Sequence, residues 1–233
     1  MVGYVLENLL DLLWPERCPV CGSVLGDKES KVCNECLDDM PLTRFWSWRG
    51  NPAEERLWKK IGIVSAASLY FYRNSGPYNI LVQEVKYRGN LKLGSMLGRM
   101  LGERMKESGR FNSLQAVVCV PLHPLRRWRR GYNQAEVEAR GVAEALGLPL
   151  ICDLLHRTRR TRTQTKLKGE KKEENVRDAF AVNEKAALRL EAAGVSHLLI
   201  VDDVLTSGAT IASAASRLTP RFLVSAATMA FVE

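Results

Sequence analysis

The 233-residue sequence predicts an α/β fold, a mostly parallel sheet with helices on both faces, joined to a small cysteine-rich module at the N-terminus. Three observations predict it. From residue 63 onward, strand-like and helix-like segments alternate, which is how a parallel sheet covered on both faces is built. Residues 198–201, LLIV, form an unbroken apolar run of the kind a strand buried on both faces requires. Ahead of all this stand Cys18-x2-Cys21 and Cys33-x2-Cys36, two knuckles eleven residues apart.

Those four cysteines set the character of the first segment. Paired C-x2-C knuckles place four thiolates around a tetrahedral ion, and zinc suits that set. Cys18, Cys21, Cys33 and Cys36 are therefore the expected metal ligands. The site has no open coordination position, so its role is to fold the chain around it rather than to catalyse. Before it, Val5, Leu6, Leu9, Leu10, Leu13 and Trp14 recur at helical spacing and predict a short amphipathic helix. Residues 1–45 are read as this helix plus the zinc-binding module, 46–62 as a connector, and 63–233 as the α/β domain. The stretch RFWSWRGNPAEERLWKKIG, 44–62, has neither strand alternation nor a clean helical period, and its tryptophans are expected to pack one module against the other.

Along the α/β domain, IVSAASLYFYR reads as a strand, PYNILVQEVKY and LKLGSMLGRMLGERMKE as helices, and LQAVVCVP as a strand. A basic loop follows, RRWRR at 126–130, then a helix over QAEVEARGVAEAL and a short strand LPLIC. A long basic loop at 156–172, a helix near 184–193, the 198–201 strand, a helix from 209 to 218 and a last strand RFLVSAATMAFV complete the chain. Cys119 and Cys152 lie in apolar stretches and are read as buried core thiols. His123 in VPLHP stands at a strand end, where either a site residue or a turn histidine is found. Asn133 and Gln134 are expected to fix the basic loop or cap the following helix.

The formal net charge of +8 favours an anionic partner, a phosphorylated metabolite or nucleic acid. No stretch approaches a membrane span, and the N-terminal apolar segment carries Glu7 and Asp11 without a basic lead. The expected compartment is therefore the cytoplasm.

The apolar run at 198–201 leads into Asp202 and Asp203, then into Thr206, Ser207, Gly208 and Thr210. On this reading the acids lie just past the carboxyl end of the strand, where open α/β sheets bind ligands. Small hydroxyl residues and glycine before a helix expose free N–H groups that suit an anion. Acids beside an anion site call for a ligand with both hydroxyls and a phosphate, and a ribose 5-phosphate meets both demands.

The run VDDVLTSGAT resembles the phosphoribosyl-pyrophosphate motif of type I phosphoribosyltransferases. VPLHPLRRWRRGYNQAE, Gln164, NVRDAF at 175–180 and the four-cysteine knuckle narrow the resemblance to the ComF/GntX group of competence-associated proteins. The chain has Thr206-Ser207-Gly208 where the group usually has Thr-Thr-Gly, which keeps the hydroxyl. Lys172 stands where the group carries an arginine ahead of Asn175, so a bidentate phosphate contact becomes a point-charge contact.

The resemblance implies a type I phosphoribosyltransferase-like domain, a part in DNA uptake during natural transformation, and an acceptor base that is not established. It implies that Asp202, Asp203, Thr206, Ser207, Gly208, Ala209 and Thr210 meet phosphoribosyl pyrophosphate. Asp202 and Asp203 are the catalytic candidates, as ribose anchors or as a general base. Arg126, Arg127, Arg129, Arg130 and Lys172 are candidates for pyrophosphate or DNA phosphates, and the 156–172 loop for a lid. Magnesium would neutralise the pyrophosphate. The alternatives to a phosphoribosyltransferase are an adaptor for single-stranded DNA and a competence helicase, or a sensor of phosphoribosyl pyrophosphate.

Overall fold

A computed structural model describes residues 15–26, 30–73, 75–158 and 179–233. The expected helix over 1–14, the lid residues 159–172, and Lys172, Gln164 and Asn175 lie outside the described residues.

The central sheet has five strands in the order β1-β7-β6-β2-β3: β1 (Ala66–Tyr72), β7 (Leu223–Val232), β6 (His197–Leu205), β2 (Ala116–Cys119) and β3 (Leu150–Ile151). Every pairing in it is parallel. Helices α3 (Asn79–Tyr87), α4 (Leu91–Ser108) and α6 (Gln134–Leu146) belong to one layer, and α7 (Glu184–Ala192) and α8 (Ala209–Ala215) to the other. The fold class is therefore α/β, as expected.

Strand β6 shows why an unbroken apolar run was needed. Leu199 and Val201 join the core with Leu93, Leu97, Leu101 and Val142, while Leu198 and Ile200 join the opposite core with Leu190, Ile211 and Leu218. Side chains alternate between faces along a strand, so a strand inside two cores carries apolar residues at every position.

Two helices meet at unusually close range. An alanine Cβ built on Gly98 would lie 2.1 Å from the Glu138 carbonyl oxygen, and one on Gly141 would lie 2.2 Å from that of Ser95. Helices α4 and α6 thus touch backbone to backbone, which only glycine permits.

The cysteine module shares the first core. Cys18, Val32, Cys33, Cys36 and Met40 cluster with Tyr70 and Tyr78 of the sheet layer, and Trp46 is buried among them as expected of a packing tryptophan. The Tyr78 hydroxyl donates to the Cys36 carbonyl at 2.9 Å. Thr43 N donates to Leu69 O and Phe71 N to Pro41 O, so the segment after the module pairs along β1 and covers the open edge of the sheet.

The connector is more ordered than its sequence suggests. Asn51 caps helix α2 (Pro52–Trp58) by accepting from Ala53 N and Glu54 N, and its amide donates to Phe45 O and Ala66 O. Fully buried Glu54 accepts from Ala66 N at 3.1 Å and pairs with Arg110 at 2.7 Å. Ala53 and Leu57 are buried as well, but a seven-residue helix anchored also by polar side chains is too short to show an apolar period. Trp48 and Trp58 are exposed.

Three other expectations are corrected. The basic stretch after β2 is a helix, α5 (Pro124–Arg130), started by Pro124 and capped by His123, whose Nδ1 accepts from Leu125 N at 3.2 Å. The helix from 209 ends at Ala215 rather than 218. Residues at the two ends of the long basic loop form an antiparallel pair, β4 (Leu155–Arg157) with β5 (Phe180–Val182).

Candidate functional site

Asp202 and Asp203 do not follow their strand; they lie within it. β6 runs to Leu205 because β7 is long enough to pair through Asp202↔Thr228 and on to Leu205↔Phe231. On the other side β2 ends at Cys119↔Val201. The acids therefore stand past the carboxyl end of β2 although not of β6. From β2 the chain moves outward to β3, and from β6 it moves the opposite way to β7. The gap between β2 and β6 is thus the point where strand order reverses, the usual ligand crevice of such a sheet.

Both acids are buried, 8% and 7% exposed. Strand alternation sends them to opposite faces. Asp203 takes a salt bridge from Lys86 Nζ at 2.9 Å and a hydrogen bond from Gln134 Nε2 at 2.9 Å. Arg130 in turn donates to Gln134 Oε1. Burial pulls down the Lys86 pKa, but Asp203, Asp202 and Glu138 outweigh it and hold the ammonium above the ordinary lysine value. Asp202 accepts from Asp203 N at 3.0 Å. Burial and then the Asp203 charge push its carboxyl up to about 7, against the pull of Lys86 and Arg157.

A turn along α6 from Gln134, Glu138 is fully buried, and burial followed by the Asp203 charge drives its pKa well up. At this site, then, Gln134 holds an acid rather than only the basic loop. Asn133 donates to Val120 O at 3.1 Å and makes no cap bond. Lys86 and Glu138 were not anticipated, and Arg157 was expected only as part of the 156–172 basic loop. Gln134 and Glu138 had a signal: polar residues at core spacing on a helix whose other buried positions are Ala135, Ala139, Gly141, Val142 and Ala143.

The loop after β6 rests on the connector helix. Arg56 donates to Thr206 O at 2.7 Å and to Val232 O at 2.6 Å, with its guanidinium 4.0 Å from the Phe231 ring centroid. Gly208 has φ +80°, and a Cβ there would press Leu57 Cδ2 at 3.0 Å. Thr206 and Ser207 are exposed, while Ala209 and Thr210 open α8 half-buried. First-turn amides of a helix have no carbonyl partner within it, so they are free to meet an anion.

Beside the acids lies a cavity of about 520 Å³ lined by Lys86, Tyr87, Arg88, Arg126, Arg129 and Arg130, with Gly89 and Tyr132. Of the four arginines expected at a phosphate, Arg126, Arg129 and Arg130 face this space. Arg127 turns away to Glu136 at 3.4 Å. Arg157 also favours the charged form of Asp202.

The four cysteine Sγ atoms lie within 4.8 Å of one another, and Cys21 and Cys33 are 3.6 Å apart. Thiolates at a tetrahedral zinc with bonds of ~2.3 Å sit about 3.8 Å from each other, so the arrangement fits the ion. Ser23 hydrogen bonds push the exposed Cys21 thiol down to about 6, toward the thiolate a metal needs.

Comparison with known proteins agrees with this assembly. A family model described as "Double zinc ribbon domain" matches residues 9–46. The "Competence protein F" of Haemophilus influenzae is 27% identical over 197 residues, covering 83% of this chain and 74% of that protein. The "DNA utilization protein YhgH" of Escherichia coli is 32% identical over 204 residues, covering 86% of this chain and 77% of that one. This chain belongs to the ComF/GntX family. The "DNA utilization protein YhgH" of Salmonella typhi, at 29% identity over 204 residues, extends the same relation. In this ComF/GntX chain the ribbon match and the cluster of Cys18, Cys21, Cys33 and Cys36 support a structural zinc. Among the described residues no helix is long and apolar enough to cross a membrane.

Proposed function

We propose that this protein binds phosphoribosyl pyrophosphate with magnesium at the β2/β6 crevice and serves DNA uptake, as the names of its relatives suggest. The observation that carries the reading is the pair of buried carboxylates at the strand-order reversal, near a loop that exposes Thr206 and Ser207 and beside an arginine-lined cavity. The carboxylates, on opposite faces of β6, accept from the ribose hydroxyls across the open side past the end of β2. The 206–210 loop holds the 5-phosphate, with Thr206, Ser207, Gly208, Ala209 and Thr210 supplying hydroxyl and N–H donors. Arg126, Arg129 and Arg130 receive the pyrophosphate. Magnesium, held mainly by substrate oxygens and water, supplies charge neutralisation.

If an acceptor nitrogen displaces pyrophosphate from C1 of the ribose, the protein works by position and charge rather than by covalent chemistry. Asp202, the acid with the raised pKa and without a lysine bound to it, is better suited to a proton-transfer role than Asp203. A site that binds without turnover makes the protein a sensor, and pyrophosphate release in the presence of free bases separates the two. The combined change Asp202→Asn and Asp203→Asn abolishes phosphoribosyl-pyrophosphate binding in calorimetry and leaves zinc content unchanged. Unaltered affinity would remove the ribose assignment.

A second reading, a surface for single-stranded DNA, has its own observation. Trp128 is 82% exposed on α5 and Tyr87 is 74% exposed at the end of α3, interleaved with Arg88, Arg126 and Arg129. Aromatic faces among arginines suit stacked bases along a phosphate backbone. Trp128→Ala is expected to cost about 1–3 kcal/mol of single-strand affinity in anisotropy titrations. The same affinity falls by several decades with salt if roughly six phosphates are contacted. Salt-independent binding, or full binding by the variant, contradicts this reading. The docking of a helicase belongs with it.

A further inference from the structure

Cys119 and Cys152 were expected in the core, and one of them is not. Cys119, at the end of β2, is 4% exposed, whereas Cys152 is exposed. The register Val117↔Leu150 and Val118↔Ile151, continued one residue past the end of β3, sets Cys152 beside Cys119. Adjacent strands lie about 4.8 Å apart, inside the Cα separation a disulfide accepts. The two thiols are close enough to shift each other's protonation. Asn133 Nδ2 donates to Cys119 Sγ at 3.9 Å, which fixes the buried sulfur at the entry to α6.

The surroundings assign different parts to the two sulfurs. Interaction with Cys119 lowers the Cys152 pKa to about 7, burial opposes it, Glu136 opposes it, and Arg140 and Arg127 favour the thiolate. Cys119, held protonated by the same interaction and by burial, has its own pKa driven upward. A thiolate open to solvent backed by a buried thiol is the arrangement of an attacking cysteine and its resolving partner.

We propose that Cys152 and Cys119 form a thiol-modification site that reacts with low-molecular-weight disulfides. The Cys152 thiolate attacks one sulfur of the disulfide, forming a mixed disulfide on Cys152 and releasing one thiolate. Cys119 then loses its proton and attacks Cys152 Sγ, forming the Cys119–Cys152 bond and releasing the second thiolate. Two protein thiols are oxidised and the small disulfide is reduced to two thiols, so atoms and electrons balance. The site stands at the carboxyl end of β2, and its state bears on the Asn133 contact to Val120 O at the head of α6.

The test uses the full zinc-loaded chain, treated with oxidised glutathione at neutral pH and mapped by peptide mass spectrometry without reduction. Mapping separates this pair from the four zinc-ligand cysteines. The wild-type chain yields the peptides bearing Cys119 and Cys152 joined to each other, with the loss of two hydrogens. Cys119→Ser yields a stable glutathione adduct on Cys152, and Cys152→Ser leaves Cys119 unmodified. A glutathione adduct that persists on Cys152 in the wild-type chain overturns the resolving role of Cys119. No modification of Cys152 in either background overturns the site.

Discussion

Gly141→Ala is expected to destabilise the protein by about 3 kcal/mol or more, the upper end of what overpacking costs. In an exposed helix the same change stabilises by about 1 kcal/mol, because alanine is the better helix former. The sign is reversed here by contact. The added Cβ would lie 2.2 Å from Ser95 O and 2.7 Å from Arg99 N, both backbone atoms that cannot rotate aside. The helices must separate, and the leucines of α4 lose packing against the sheet. In thermal unfolding this reads as a loss of about 10 °C for a chain of this size. Gly98→Ala adds a clash at 2.1 Å with Glu138 O, so it strains the helix that carries Gln134 and Glu138 to the acids. A melting temperature unchanged or raised by either substitution contradicts the close helix contact.

Removing zinc is expected to have the next largest effect. The four cysteines meet within 4.8 Å, and three of them belong to the same core as Tyr70, Tyr78 and Trp46. Structural zinc contributes on the order of 10 kcal/mol to folding of small ribbons. Its loss therefore disturbs the sheet edge as well as the module. A strong chelator should release the ion with a fall in melting temperature and a red shift of tryptophan emission as Trp46 becomes wet. Cys33→Ser should purify without zinc and show the same spectrum in the absence of chelator. Emission that stays unchanged after metal release contradicts the shared core.

What could be read from the residues followed from burial. Leu198–Val201 were legible because a strand inside two cores leaves an unbroken apolar run, and the C-x2-C spacing because a tetrahedral ion demands it. The end of β6 was not legible. Two carboxylates interrupt the apolar run, but pairing to β7 needs only backbone groups and continues to Leu205. Helix α5 buries none of its residues, so it has no apolar stripe, and only Pro124 and the capping His123 mark its start. The connector helix α2 is held by Asn51 and Glu54, polar residues whose partners are distant in sequence. Lys86 and Glu138 escaped for the same reason: one is the last cation of an ordinary amphipathic helix, and the other acquires meaning only when α6 meets Asp203. Cys152 looked apolar by its neighbours, yet β3 is only two residues long and ends before it.

We propose, then, that the Asp202/Asp203 strand end and the loop after it hold a phosphorylated ribose. The most direct measurement is a crystal of the zinc-loaded protein soaked with ribose 5-phosphate and magnesium, examined by difference density. The expected density places the ribose diol against the two carboxylates and the phosphate against residues 206–210. A phosphate lodged only among Arg126, Arg129 and Arg130, with no sugar at the acids, would contradict it.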